Sequence, residues 1–152
     1  MVGTISTWSS HVFGYQTIVA DIPGTGTQTF AAVSRGHEYS IQPFAPGQAD
    51  VPGNDTDGSG TVAVDYAQRT VTVRVSVNNT GQAIDIVSGT GTLLAAANQF
   101  RGTLTGSTVP LNGTFTGTVF GPHSAEVGVD YALSGDRTAN RVRYAGMSPG
   151  SF

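Results

Sequence analysis

The chain has 152 residues, no cysteine and a formal net charge of -3, and every one of its seven cationic side chains is Arg. Without Cys there is no disulfide, thiol nucleophile or thiolate metal site, and an acidic balance with so few cations argues against nucleic acid. Twenty-one Gly, abundant Thr and no sustained 3.6-residue periodicity point to an all-β protein of about one domain, rich in tight turns.

Met1-Val2-Gly3-Thr4 lacks the basic start and apolar core of a signal peptide. No apolar run approaches the roughly 20 residues that a membrane-spanning helix needs. Residues 4–10 read as a polar lead-in marked by Trp8, and residues 11–19 (HVFGYQTIV) as a strand whose inner face the pattern leaves open. Asp21-Ile22-Pro23-Gly24 is a turn, and residues 26–34 (GTQTFAAVS) form the next expected strand. Residues 36–60 carry Pro43, Pro46, Pro52 and five glycines, so we expect a long excursion, with Tyr39-Ser40-Ile41 as a brief strand inside it. Loops of that length are uncommon in compact domains and often functional.

Residues 61–66 and 70–77 make the clearest hairpin by pattern. Val62, Val64 and Tyr66 are in phase with Val71, Val73, Val75 and Val77, which leaves Thr70, Thr72, Arg74 and Ser76 facing water. Asn78-Asn79-Thr80-Gly81 turns the chain. Strands are expected at 84–93 and 99–105, and then a long hairpin at 111–133. In that hairpin Phe115, Gly117 and Val119 share one face, as do Val127, Val129, Tyr131 and Leu133, with a turn over residues 121–125 between them. A last short strand is expected at 141–145, and the tail 147–152 is expected to fray.

The wording of the long hairpin, Gly113-Thr-Phe115-Thr-Gly117-Thr-Val119-Phe120-Gly121-Pro122 followed by Glu126-Val127-Gly128, resembles the closing hairpin of the β-barrel domain of transferrin-binding protein B and related Gram-negative surface lipoproteins. Gly58-Ser59-Gly60-Thr61-Val62 leading to Asp65-Tyr66, Asn98-Gln99-Phe100-Arg101-Gly102, and the Pro23–Phe30 region are similar to earlier barrel strands of that family. The stretch after Phe30 departs from it, with Ala31-Ala32 where the family has Gly. The resemblance implies a single eight-stranded antiparallel up-and-down β-barrel, with a short extra strand possible. Such closure removes exposed sheet edges. The expected division is a lead-in and first strand over 1–20, the barrel over 21–138, and a terminal strand and tail over 139–152, all one domain. By the same resemblance the chain is expected to be a non-catalytic module at the outer-membrane surface, or secreted or periplasmic. It would be tethered by a lipid anchor preceding this sequence and would capture a protein partner in iron or haem acquisition or host interaction. The alternatives are a small haem carrier and a structural barrel within a larger surface assembly. The turn acid Glu126 is expected to accept hydrogen bonds from the hairpin's backbone amides.

Candidate chemistry is sparse. His11, His37 and Tyr39, with Tyr15 beside them, are the candidates for a haem ligand, because imidazole and phenolate serve as axial ligands. Solvated loop histidines are the simpler account. Asn54-Asp55-Thr56-Asp57-Gly58-Ser59 gathers hard oxygen donors, so Asp55 and Asp57 are the metal candidates. The EF-hand spacing fails, however, because Tyr66 stands where Glu should close the loop; an Asx-rich turn is the plainer reading. No Gly-x-Ser-x-Gly elbow is present, and no enzyme is expected. For partner contact the loop residues Tyr39, Phe44 and His123 are the candidates, since loops on a rigid scaffold tend to carry binding.

Overall fold

The computed structural model describes the backbone of residues 14–41, 55–79, 82–108, 110–137 and 140–151, with side chains described at most of these positions. The strands are β1 (Thr27–Ile41), β2 (Asp55–Asp65), β3 (Thr70–Asn79), β4 (Gln82–Leu93), β5 (Gln99–Gly106), β6 (Leu111–Phe120), β7 (Glu126–Arg137) and β8 (Asn140–Ser151). Each pairs antiparallel with its neighbours in sequence, and β8 pairs with β1 as well as with β7. The described residues contain no α-helix, only 3-10 turns at Val19–Asp21 and Pro122–Ser124. The all-β, antiparallel expectation therefore holds.

Period-two patterning decides which side of the sheet is dry. Val62, Val64, Val71, Val73, Val75 and Val77 are all buried in one cluster, as the hairpin pattern requires. On the long hairpin Phe115, Val119, Val127, Val129, Tyr131 and Leu133 join them. The opposite face carries exposed Thr70, Thr72, Thr90, Thr92, Thr103 and Thr114. An apolar inside with a hydroxyl-rich outside is the reverse of a membrane-spanning barrel, whose outer band is apolar.

Several inward positions are glycines, and two sets of them are packing devices. Phe115 lies over Gly91 and Gly102: a Cβ at those sites would sit 2.8 Å and 2.5 Å from its Cζ. Phe100 in turn covers Gly117, where an added Cβ would stand 2.2 Å from the ring. The two rings meet edge to face, centroids 6.1 Å apart, a favoured aromatic arrangement. Gly91, Gly102 and Gly117 thus mark places where a ring replaces the missing side chain.

Three expectations are corrected. The strand ending at 34 runs on to Ile41, and residues 55–60 belong to β2, because Gly36 pairs with Thr56, His37 with Asp55, and residues 37–41 with β8. Much of the supposed excursion is therefore sheet; residues 42–54 lie outside the described part. Glycine hides this from the pattern, since a Cβ at Gly58 would lie 1.8 Å from the Ser76 carbonyl oxygen on β3. The strand expected at 11–19 is not one in its described portion. Only Gln16 makes a bridge, to Phe120, and the chain then enters the 3-10 turn at Val19–Asp21. Finally, the frayed tail is sheet as far as Ser151, with Pro149 opposite Gly128 and Met147 opposite Asp130.

The ring-over-glycine arrangement makes a specific expectation. Gly117→Val should destabilise the fold by about 1–3 kcal/mol through overpacking against Phe100, measured by denaturant unfolding. Adding Phe100→Leu should recover part of that loss in a double-mutant cycle. Strict additivity of the two substitutions would show that the ring does not occupy the glycine's space.

Candidate functional site

The two ends of the sheet are built differently. At one end lie the turns β2–β3, β4–β5 and β6–β7, and residues 14–26 cross over them as a strap. The strap is stitched on by backbone and side chain together. Thr17 N donates to Val119 O at 3.1 Å, Gly121 N to Tyr15 O at 2.8 Å and Tyr66 N to Gly26 O at 2.9 Å. Thr17, itself buried, donates its hydroxyl to Gly121 O at 2.7 Å. Asn98 Nδ2 reaches Gln16 Oε1 and Thr17 O at 3.2 Å and 3.1 Å. Ile22 then packs against the core.

The same end concentrates backbone strain. Among the described residues, the non-glycine ones with left-handed φ are Arg69 (53°), Ala96 (52°), His123 (54°) and Ser124 (59°), one or two in each of the three turns. Each such residue costs on the order of 1–2 kcal/mol, so its surroundings must hold it there. For Arg69 the holding contacts are visible. Its Nε donates to Leu93 O at 3.1 Å, its Nη2 to Leu94 O, and its own carbonyl accepts from Leu93 N at 2.9 Å. That clamps the β4–β5 turn to the β2–β3 turn. Beneath the strap the Tyr66 hydroxyl donates to Gln28 Oε1 at 2.9 Å. Burial raises the Tyr66 pKa, and the Ser124 hydroxyl acts in the opposite sense. Ser124 Oγ is wholly buried and makes no hydrogen bond of full geometry.

Between strap and turns lies a cavity of about 260 Å³, lined by Val19, Ile22, Pro23, Tyr66, Ala67 and Ala96 among others. The strap also presents Tyr15, 94% exposed, and Ile18, 64% exposed. A second groove, of about 360 Å³, runs over the outer face of β5–β7 between Phe120, Arg101 and Asp130. Gly14 closes over the Phe120 ring at one edge of that face, with 3.3 Å left for a Cβ.

At the opposite end the interior turns polar. The Ser34 and Tyr131 hydroxyls share a buried hydrogen bond of 2.6 Å. Asp85 is buried at an inward position, where its carboxylate accepts from Ile86 N at 2.7 Å, Ser107 Oγ at 2.7 Å and Thr108 N at 3.0 Å. It thereby holds the start of the β5–β6 loop. Sequence reasoning missed Asp85, although it falls in phase with Val87 and Leu93; that phase was the available signal.

The residues singled out from the sequence are divided between these ends. His123 is exposed in the β6–β7 turn, and Tyr15 lies close by on the strap. His37 and Tyr39 lie on the far part of β1, their backbones opposite Ala145 and Arg143 of β8. His11 and Phe44 lie outside the described residues. Asp55 opens β2, and Asp57 is exposed on that strand opposite Arg35. Among the described residues no group of three His, Asp or Glu side chains converges on a possible metal position. Glu126 is exposed, and among the described residues its carboxylate takes no hydrogen bond from the hairpin amides. Its backbone, opposite Phe120, is what closes the turn.

No protein-family profile matches the chain. Among solved structures the fold is similar to transferrin-binding protein B from Haemophilus parasuis, with a TM-score of 0.56 and 14% identity, covering 88% of this chain and 28% of that one. It is also similar to isotype 1 transferrin-binding protein B from Neisseria meningitidis, with a TM-score of 0.52 and 12% identity over 88% of this chain and 28% of that one. These likenesses establish a shared β-barrel fold. Among curated proteins, leucine aminopeptidase 1 of Sclerotinia sclerotiorum is 42% identical over 59 residues, which is 39% of this chain and 15% of that protein. Its Aspergillus fumigatus counterpart is 43% identical over 60 residues, again 15% of its length. The chain thus spans only a small part of the curated relatives it matches.

Two outcomes test this geometry. Asn98→Ala should speed amide exchange along residues 15–22 while leaving the strands protected, with a stability loss of about 1 kcal/mol. Burial, partly offset by the Ser34 hydroxyl, lifts the Tyr131 pKa above its usual 10.0. The stability this group contributes is thus fully present below pH 10 and is lost as pH climbs through the raised value. In Tyr131→Phe the alkaline fall in stability should be shallower, read from unfolding midpoints across that range.

Proposed function

We propose that this chain is a non-catalytic binding module whose sheet closes into one sealed up-and-down barrel and whose task is to capture a protein partner at a bacterial surface. The observation that supports it best is the fold shared with transferrin-binding proteins over 88% of the chain. A second support is that the interior is occupied by the protein's own Val, Leu and Phe side chains. That leaves the rims and the outer face for recognition. The pairing of β8 with both β7 and β1 supports closure. A hydroxyl-rich exterior suits display in water on a lipid tether rather than insertion of the barrel itself in a bilayer. Transferrin is a partner of the solved neighbours; for this chain it is the first protein to test. The short match to fungal aminopeptidases covers too little of those enzymes to transfer their activity.

Closure has a direct test. Ending the chain at residue 139 should leave β1 and β7 with open edges, so the shortened protein should dimerise or aggregate where the full chain does not, by light scattering. A monomer of unchanged stability would refute a sealed barrel. For binding, the immobilised chain should retain transferrin or another serum protein reproducibly. Capture of none from host serum would refute the partner reading.

A further inference from the structure

We propose that the strapped end of the barrel, from Tyr15 to Asp21 together with the β2–β3 and β4–β5 turns, is the docking surface, and that it receives a protein segment in which an apolar side chain is flanked by basic residues. The inference rests on the binding-module reading above and assigns it a place and a partner chemistry.

Size comes first. The cavity of about 260 Å³ beneath Val19 and Ile22 is below the ~300–1,000 Å³ of pockets that take whole small molecules. It suits one inserted side chain, the form that interface anchors commonly take. Exposure is the second argument. Tyr15, Ile18 and Val19 are 94%, 64% and 49% exposed, and three of the four large apolar residues exposed among those described lie in this one five-residue stretch. Isolated exposed apolar residues are ordinary; a contiguous group beside a cavity marks an interaction site.

Charge sets the partner's sign. The carboxylates of Asp21, Asp65 and Glu126 all stand at this end, on the strap, at the end of β2 and at the start of β7. Arg69 lines the cavity but turns its guanidinium onto the Leu93 and Leu94 carbonyls, and Asp65 Oδ1 accepts from Gln68 N at 2.8 Å. Asp21 and Asp65 adjoin, in sequence, the cavity-lining residues Ile22 and Tyr66, which favours a basic segment carrying an apolar centre, and such pairing raises association rate and specificity. The turns are also held in one conformation by Arg69, Asn98 and Thr17, which spares the ordering cost of binding.

The test uses the full chain, labelled with ¹⁵N, and a fluorescent Arg-Trp-Arg peptide as probe, with Glu-Trp-Glu and Arg-Ser-Arg as controls. Amide shifts should cluster at residues 15–24, 66–69 and 94–98, and only the first peptide should produce them. Asp21→Arg and Val19→Ser, both at exposed or half-exposed positions, should each weaken binding by about tenfold, and raised salt should weaken it further. Equal response to Glu-Trp-Glu, or shifts spread over the outer strands, would overturn the proposal. So would concentration-dependent self-association through residues 15–21, which would make a second copy the occupant. Binding that appears only after residues 1–13 are removed would likewise assign the surface to the chain's own lead-in. If serum capture persists undiminished in Asp21→Arg and Val19→Ser, the docking site is wrong and the binding function stands; if neither wild type nor variant captures anything, the function itself fails.

Discussion

The structure depends on one packing constraint: two phenylalanine rings must set their tips against bare backbone. Phe115 over Gly91 and Gly102, and Phe100 over Gly117, tie β4, β5 and β6 together through contacts that a side chain at those glycines would block. A narrow, strongly curved sheet has little internal volume, and side chains at every inward position would overfill it. Alternating large rings with absent side chains fills the space to native density. It also pins register, because a slip of one residue would place a Phe against a threonine.

That register carries the rest. Once the β4–β6 ladder is set, Val residues of β2 and β3 close one wall and Tyr131 and Leu133 of β7 the other. The two ends are then finished by different chemistry. Asp85, Ser34 and Tyr131 satisfy one another or nearby backbone at one end. At the other the strap hides Thr17 and Ile22 and leaves Tyr15, Ile18 and Val19 in water. The left-handed turn residues Arg69, Ala96, His123 and Ser124 lie only at this strapped end among the described non-glycine residues. Strain gathered at one end and held by Arg69 and Asn98 is what a rigid, preformed recognition surface requires.

Legibility from sequence followed burial. The two hairpins with unbroken Val, Phe and Tyr alternation were readable residue by residue, since side chains at i and i+2 must share a face whatever surrounds them. Residues 55–60 and the start of 35–41 were not, because Gly36, Thr56, Gly58 and Gly60, which fall in phase with the core, give no apolar period. Their strand character comes from the hydrogen bonds of β1, β2 and β8. The strap failed in the other direction. Its residues 11–19 have strand-like composition, yet composition cannot say whether a neighbouring edge is free to accept a ladder. Phe120 offers a single bridge to Gln16, and the chain turns away.

Residue order alone determined an all-β chain, the dry and wet faces of its best-patterned strands, and the turn at Gly121-Pro122, because these follow from local stereochemistry and alternation. Tertiary structure alone decided that 15–21 is a strap and not a strand, that Asp85 is buried, and that His123 and Tyr15 share an end while His37 and Tyr39 lie at the other. Those facts depend on which distant segments meet, and the energies that settle such meetings are contacts such as Thr17 to Gly121, residues 104 positions apart.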